Sequence, residues 1–248
     1  MQNKRILSLS IIIILVLSLT ACQLPFINVV RGSGSFVSKS YAVSAFDAVQ
    51  LDGAGKLIII QGEEESLEIE AEDNLIDQLT VEVENGTLAI GFKEKPWHTT
   101  IIPTHLITYT LTIKDLRQIT INGASDVALA ALQTDSLAVT INGAAQVRIN
   151  DLLADSLSIK LIGAGNIVIS GQALTQNIEI DGAGNVQADD LMTDSTVVEI
   201  DGLGNASVWA GKELDIVING GGSVSYFGSP TVSQEINGLG DVNPRGEK

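Results

Sequence analysis

Leu137-Ala138-Val139-Thr140-Ile141-Asn142-Gly143-Ala144-Ala145-Gln146-Val147-Arg148-Ile149-Asn150 holds two short strands around one turn. Leu137, Val139 and Ile141 alternate with Ala138 and Thr140, so an extended segment there has one apolar face. Asn142-Gly143 turns the chain, because Asn and Gly accept the positive φ that other residues resist. Val147 and Ile149 then alternate with Gln146, Arg148 and Asn150, a second strand. Asp151 to Ser156 forms a return corner, after which Leu157, Ile159 and Leu161 begin the pattern again.

The turn phrase occurs in seven copies, with first glycines at 123, 143, 163, 182, 202, 220 and 238, spaced by 20, 20, 19, 20, 18 and 18. A fixed period near 20 marks a solenoid, each repeat being one coil stacked on the last. Stacking places Ile121, Ile141, Leu161, Ile180, Ile200, Ile218 and Ile236 in one apolar column. Val127, Val147, Ile167, Val186, Ala206, Val224 and Val242 fill a second. No coil buries its inner face alone, and seven of them at ~4.8 Å extend roughly 34 Å. The fold expected is all-β: a single-chain β-helix or solenoid with an irregular β cap at its N-terminal end.

Lys4 and Arg5 precede an apolar run from Ile6 to Leu19, closed by Thr20-Ala21-Cys22. That order describes a secretory signal peptide over 1–21. At about 14 residues the run falls short of the ~20 that span a bilayer as a helix. Leu19-Thr20-Ala21-Cys22 also resembles the bacterial lipobox, which implies cleavage before Cys22 and acylation of that cysteine. The alternative is an ordinary signal peptide beside an unmodified cysteine. Cys22 is the only cysteine, so no disulfide forms within one chain.

Cleavage takes the net charge from −16 to −18 by removing Lys4 and Arg5. Such an acidic chain is not a nucleic-acid partner and does not dock flat on anionic lipid. The membrane is reached through acyl chains instead, in the cell envelope. With 45% hydrophobic residues and 24 glycines lacking a collagen period, one folded domain with many tight turns is expected.

Residues 22–44 include Arg31-Gly32-Ser33-Gly34-Ser35 and are expected to be a lipidated N-terminus and flexible tether. Residues 45–118 form the capping part, and 119–243 the regular repeats. Leu51-Asp52-Gly53-Ala54-Gly55 is an eighth copy of the turn phrase, 70 residues ahead of the next. Thr80 to Ile90 is a hairpin about Asn85-Gly86. Lys93 to Thr104 is expected to be a loop, and Leu106 to Ile113 a strand.

Phe46-Asp47-Ala48-Val49-Gln50-Leu51-Asp52-Gly53-Ala54-Gly55, Asn85-Gly86-Thr87-Leu88 and the repeated Ile-Asn-Gly phrases together resemble the GIN domain family, described as auto-transporter adhesin heads. The likeness covers about 45 to 242. It implies a β-helix similar to pectin lyases, no established catalytic residues, and a role in adhesion. Nothing here resembles a membrane β-barrel or trimeric stalk, and the lipid anchor stands in their place.

Sites of chemistry are few. The turn positions Asp52-Gly53, Asn122-Gly123, Asn142-Gly143, Asp181-Gly182, Asp201-Gly202, Asn219-Gly220 and Asn237-Gly238 make a ladder. Carboxylate and carbonyl oxygens suit calcium, but calcium-binding β-rolls repeat every ~9 residues and Ile162 interrupts this file. The expected role is structural, the side chains bonding turn amides nearby. Lys160, Glu179 and Glu199 stand on equivalent outward positions and form the candidate binding face. Stacked outward residues are expected to give a long, shallow, mostly polar surface without the concave apolar pocket of a small-molecule site. His98 and His105 lack a Ser or Cys nucleophile pattern, and no cofactor, metal or catalytic residue is implied. A non-enzymatic protein that binds surface glycans or proteins is favoured, against a polysaccharide-active enzyme or a purely structural envelope component.

Overall fold

The computed structural model describes residues 28–93 and 99–248, and its one helical element among them is the 3-10 turn Ile76–Gln78. In chain order the strands are β1 (Asn28–Arg31), β2 (Phe36–Tyr41), β3 (Ala48–Leu51), β4 (Gly55–Gln61), β5 (Ser66–Glu72), β6 (Leu79–Glu84), β7 (Thr87–Phe92), β8 (Thr99–Ile102) and β9 (Thr108–Ile113). The regular half follows as β10 (Gln118–Ile121), β11 (Ala124–Leu129), β12 (Leu132–Ile141), β13 (Ala144–Leu161), β14 (Ala164–Ile180) and β15 (Ala183–Ile200). It ends with β16 (Leu203–Ile218), β17 (Gly221–Phe227), β18 (Thr231–Ile236) and β19 (Leu239–Pro244). Parallel pairing joins β1 to β8 in a small unit of their own.

The rest is a β-solenoid of about six turns of roughly 20 residues. Each coil has three sides, seen in β13 as 157–161, 144–149 and 152–154. The pairing is parallel and in register, so Ile121, Ile141, Leu161, Ile180, Ile200, Ile218 and Ile236 stack as the alternation predicts. The Val127-to-Val242 column stacks likewise. Burial is near complete along both until the last coil, where Ile236 is 40% exposed and Val242 half-buried, with no described coil above them.

Departures from a period of 20 collect at one side. Ile149 pairs with Ile169 but Leu152 with Gly171, so one residue is lost at that corner, where Gly171 takes φ +127°. Between Ala188 and Met192 the partners Val208 and Trp209 are adjacent, shortening the next coil there too. Only the first two sides hold a constant length, which is why their columns are so regular.

The N-terminal half departs from expectation in three ways. β3 and β4 lie directly beneath β10 and β11, with Leu51 under Ile121 and Leu57 under Val127. The early turn copy is thus a solenoid coil, and the intervening residues are an insertion. β7 and β9 add a further parallel layer below it, and only then does pairing become antiparallel, β6 on β7 and β5 on β9. The Asn85-Gly86 turn has φ of 50° and 80°, the type I′ geometry that fits a two-residue hairpin.

Secondly, the expected tether is partly ordered. Phe36–Tyr41 pairs antiparallel with Leu67–Glu72, and the Ser33 amide donates to Asn74 Oδ1 at 3.0 Å. β2 is exposed at nearly every position, so backbone ladder bonds hold it and no apolar alternation announces it. Thirdly, the expected loop 93–104 contains β8. In the regular half the turn glycines are needed for close approach: a Cβ on Gly143 would lie 2.0 Å from the Gly123 carbonyl oxygen, and no positive φ is found at that position.

Glu72 closes the cap from within. It is 1% exposed and accepts from the Gly34 amide at 2.8 Å, the Thr104 amide at 3.0 Å and the Thr104 hydroxyl. The Thr104 hydroxyl holds its pKa below the ordinary 4.5, against the opposing effect of burial. A depressed carboxyl pKa stabilises the fold above the unfolded value, and that contribution is lost as pH falls below about 4.5. Glu72→Gln is therefore expected to flatten the acid limb of the stability profile, measured by thermal melts from about pH 3 to about pH 7. An unchanged acid limb in Glu72→Gln would count against this role.

Candidate functional site

The first side of the coil puts Thr140, Lys160, Glu179, Glu199, Val217 and Glu235 in one outward file. Lys160 Nζ donates to the Glu179 carboxylate and lies 3.5 Å from Asp181 Oδ2. The hydrogen bond to Glu179 raises the Lys160 pKa, more than burial lowers it. The candidate face thus brings all three predicted residues together, with Lys160 already satisfied by its neighbours. On the second side Ala128, Arg148, Val168, Gln187, Ser207 and Ser225 form a shorter-chained file.

The turn ladder is real but bonds differently from expectation. Asn122 Nδ2 donates to Asp52 Oδ1 and Asn142 Nδ2 to Asn122 Oδ1, at 2.5 and 2.7 Å. Past Ile162, Asn219 donates to Asp201 at 2.6 Å and Asn237 to Asn219 at 3.0 Å. The side chains link coil to coil, while the turn amides go to main chain: Asn142 and Gly143 N–H both meet the Ile121 carbonyl, at 2.9 and 3.2 Å. The file mixes amides with the carboxylates Asp52, Asp181 and Asp201, one side chain per coil. Among the described residues no group of three or more His, Cys, Asp or Glu is placed to hold a metal ion.

Asn219 makes two ladder bonds, whereas among the described residues the Asp181 side chain makes only the exposed contact to Lys160. Asn219→Ala is expected to cost about 1 kcal/mol and Asp181→Ala clearly less, by denaturant titration. Equal losses would show that the ladder bonds are not the cause.

A second ladder escaped the sequence reading. Asn185 Nδ2 donates to Asn166 and Asn205 Nδ2 to Asn185, each at 2.9 Å, and Ser223 Oγ donates to Asn205 at 2.8 Å. Its signal was the Gly-Asn pair after three successive turns, at 165–166, 184–185 and 204–205.

The third side, away from these two outward files, is concave. An open cleft of about 850 Å³ lies there, lined at one end by Gln61, Glu63 and Lys114 and along its length by Gln133, Asp135 and Leu153. Cys22 and His98 lie outside the described residues. His105 stands edge-on to Phe36, with ring centroids 4.9 Å apart.

Stacked parallel coils, polar outward files and side-chain amide ladders define a β-solenoid that presents surfaces. Residues 45–230 match the family described as "Putative auto-transporter adhesin, head GIN domain", and the chain belongs to that family. A "putative adhesin" from Bacteroides fragilis has 24% identity and a TM-score of 0.80, covering 87% of this chain and 99% of its own. A "putative lipid binding protein" from Parabacteroides distasonis has 22% identity and a TM-score of 0.69, covering 88% and 99%. A "putative adhesin" from the same species has 24% identity and a TM-score of 0.67, covering 88% and 100%. No curated protein sequence matches. The family description indicates an adhesin-like domain at the surface or outside the cell, and names no reaction. Among the described residues no helix is long and apolar enough to cross a membrane.

Proposed function

We propose that this is a lipid-anchored, non-catalytic adhesion domain of the bacterial envelope, held by acylated Cys22. It meets surface glycans or proteins through the first side of the solenoid. The observation that carries the reading is the register that aligns Lys160, Glu179 and Glu199 in one outward file. Such a file makes many weak contacts with an extended partner, and anchored copies on one cell add avidity. The lipid-binding description of one neighbour suggests a second reading. Here the interior is filled by the Ile, Leu and Val columns, so a lipid would have to lie outside it.

The test uses cells displaying the full chain on glycan and matrix-protein arrays. Lys160→Ala, Glu179→Ala and Glu199→Ala together are expected to reduce adhesion about tenfold or more, with the melting temperature retained. Cys22→Ser is expected to release the protein from the membrane fraction. Full adhesion by the folded triple variant removes this face, and polysaccharide cleavage by the purified protein overturns the non-enzyme reading.

A further inference from the structure

The cleft on the third side continues along the stack as a channel. Its floor is the register file Gln133, Leu153, Gln172, Met192, one outward residue per coil. Leu153 is 50% exposed and Met192 45%, so amide and apolar steps alternate. Three coil steps make it about 14 Å long. Asp151 and Asp190 stand along one wall. Asp135, Asp155 and Asp194 stand along the other. At the N-terminal end the Gln61 amide grips the Gln133 main chain, donating to its carbonyl at 2.8 Å and accepting from its N–H at 2.9 Å. That end is a fixed stop.

At the opposite end the chain supplies its own cations. Lys212 Nζ lies 2.8 Å from Asp194 Oδ2. Lys248 Nζ donates to the Asp190 carboxylate and the Asp189 carbonyl, and sits 5.1 Å from the Phe227 ring centroid and 5.9 Å from that of Trp209. Each wall thus ends in a carboxylate already holding a lysine ammonium, one of them against aromatic rings. Asp151, Asp155 and Glu63 make no ion pair among the described residues. They repeat the same acidic chemistry along a floor that offers apolar Leu153 and Met192.

We propose that this channel docks an extended basic polypeptide segment, with Lys or Arg side chains on the walls and apolar side chains on Leu153 and Met192. An extended chain spans about 14 Å in four residues. Acidic polymers are repelled by the walls and by the net charge of −16. A neutral glycan has no use for the unpaired carboxylates. The channel lies on a different side from the Lys160–Glu199 file, so failure of one reading leaves the other standing.

The probe is a fluorescent alternating lysine–leucine hexapeptide, titrated into the full chain by anisotropy, with a glutamate–leucine hexapeptide beside it. Saturable, salt-weakened binding of the lysine peptide alone is expected. Asp151→Asn with Asp155→Asn is expected to weaken it about tenfold, while Glu82→Gln with Glu84→Gln, an equal charge change on the exposed hairpin, leaves it within about twofold. Leu153→Ser is expected to weaken binding with little change in salt dependence. Equal losses in the two double variants would reduce the effect to bulk charge and overturn the proposal. So would absence of saturation, equal binding of the glutamate peptide, or binding of a chitosan oligomer in place of the peptide.

Discussion

Gly182→Val is expected to lower the melting temperature by about 10 °C, from a loss of roughly 3 kcal/mol in a chain of this size. A Cβ at Gly182 would sit 1.9 Å from the Gly163 carbonyl oxygen and 2.3 Å from that of Ile162. Both obstacles are backbone, so no side chain can swing aside. Relief requires the coils to part, and the amides of Gly182 and Ala183 are bonded to Leu161 and Gly163 at 2.9 Å across that same gap. Those bonds would stretch. The constraint recurs up the stack, at 2.0 Å for Gly202 over Gly182 and for Gly220 over Gly202. Gly211→Ala is the control, since its Cβ would find only the Thr193 carbonyl at 3.3 Å. Thermal melts of both variants decide the matter: a Gly182→Val protein melting within about 2 °C of the parent would show that the coils yield.

Close approach also explains what the sequence could and could not reveal. Columns such as Ile121 to Ile236 were legible because burial demands an apolar residue at each step. The turn glycines were legible too, though for another reason than turn conformation. β2 was not, because an exposed edge strand needs only backbone partners. The coil at Leu51-Asp52-Gly53 carried the right phrase, but the insertion hid its place beneath Ile121. The third side was least legible of all. Its outward file of Gln133, Leu153, Gln172 and Met192 alternates amide and apolar with no constant residue to mark the repeat, and the coils shorten at that side. A period read from turns has nothing to say about a side whose length varies. The docking channel therefore emerges only from the register.

Gln176→Leu is expected to raise stability by about 2 kcal/mol, or roughly 5 °C in melting temperature. Gln176 points inward in the column Leu137, Leu157, Gln176, Thr196, Leu214. It is 2% exposed, and neither Nε2 nor Oε1 has a hydrogen-bond partner among the described residues. Its polar neighbour Thr196 shares a hydrogen bond with the Thr193 hydroxyl at 2.6 Å, and Thr193 in turn bonds the Trp209 carbonyl at 2.9 Å. The threonines are satisfied as a pair and leave the amide alone. An unpartnered buried amide forfeits its hydration for nothing in return, whereas leucine fills similar volume and already occupies the coil beneath. Gln176→Ala separates the two contributions: it removes the same polar group but opens a cavity, so its gain should vanish or reverse. If Gln176→Leu proved destabilising, the amide would have to be holding a buried water between coils, and solvent rather than side chains would complete the core at that level.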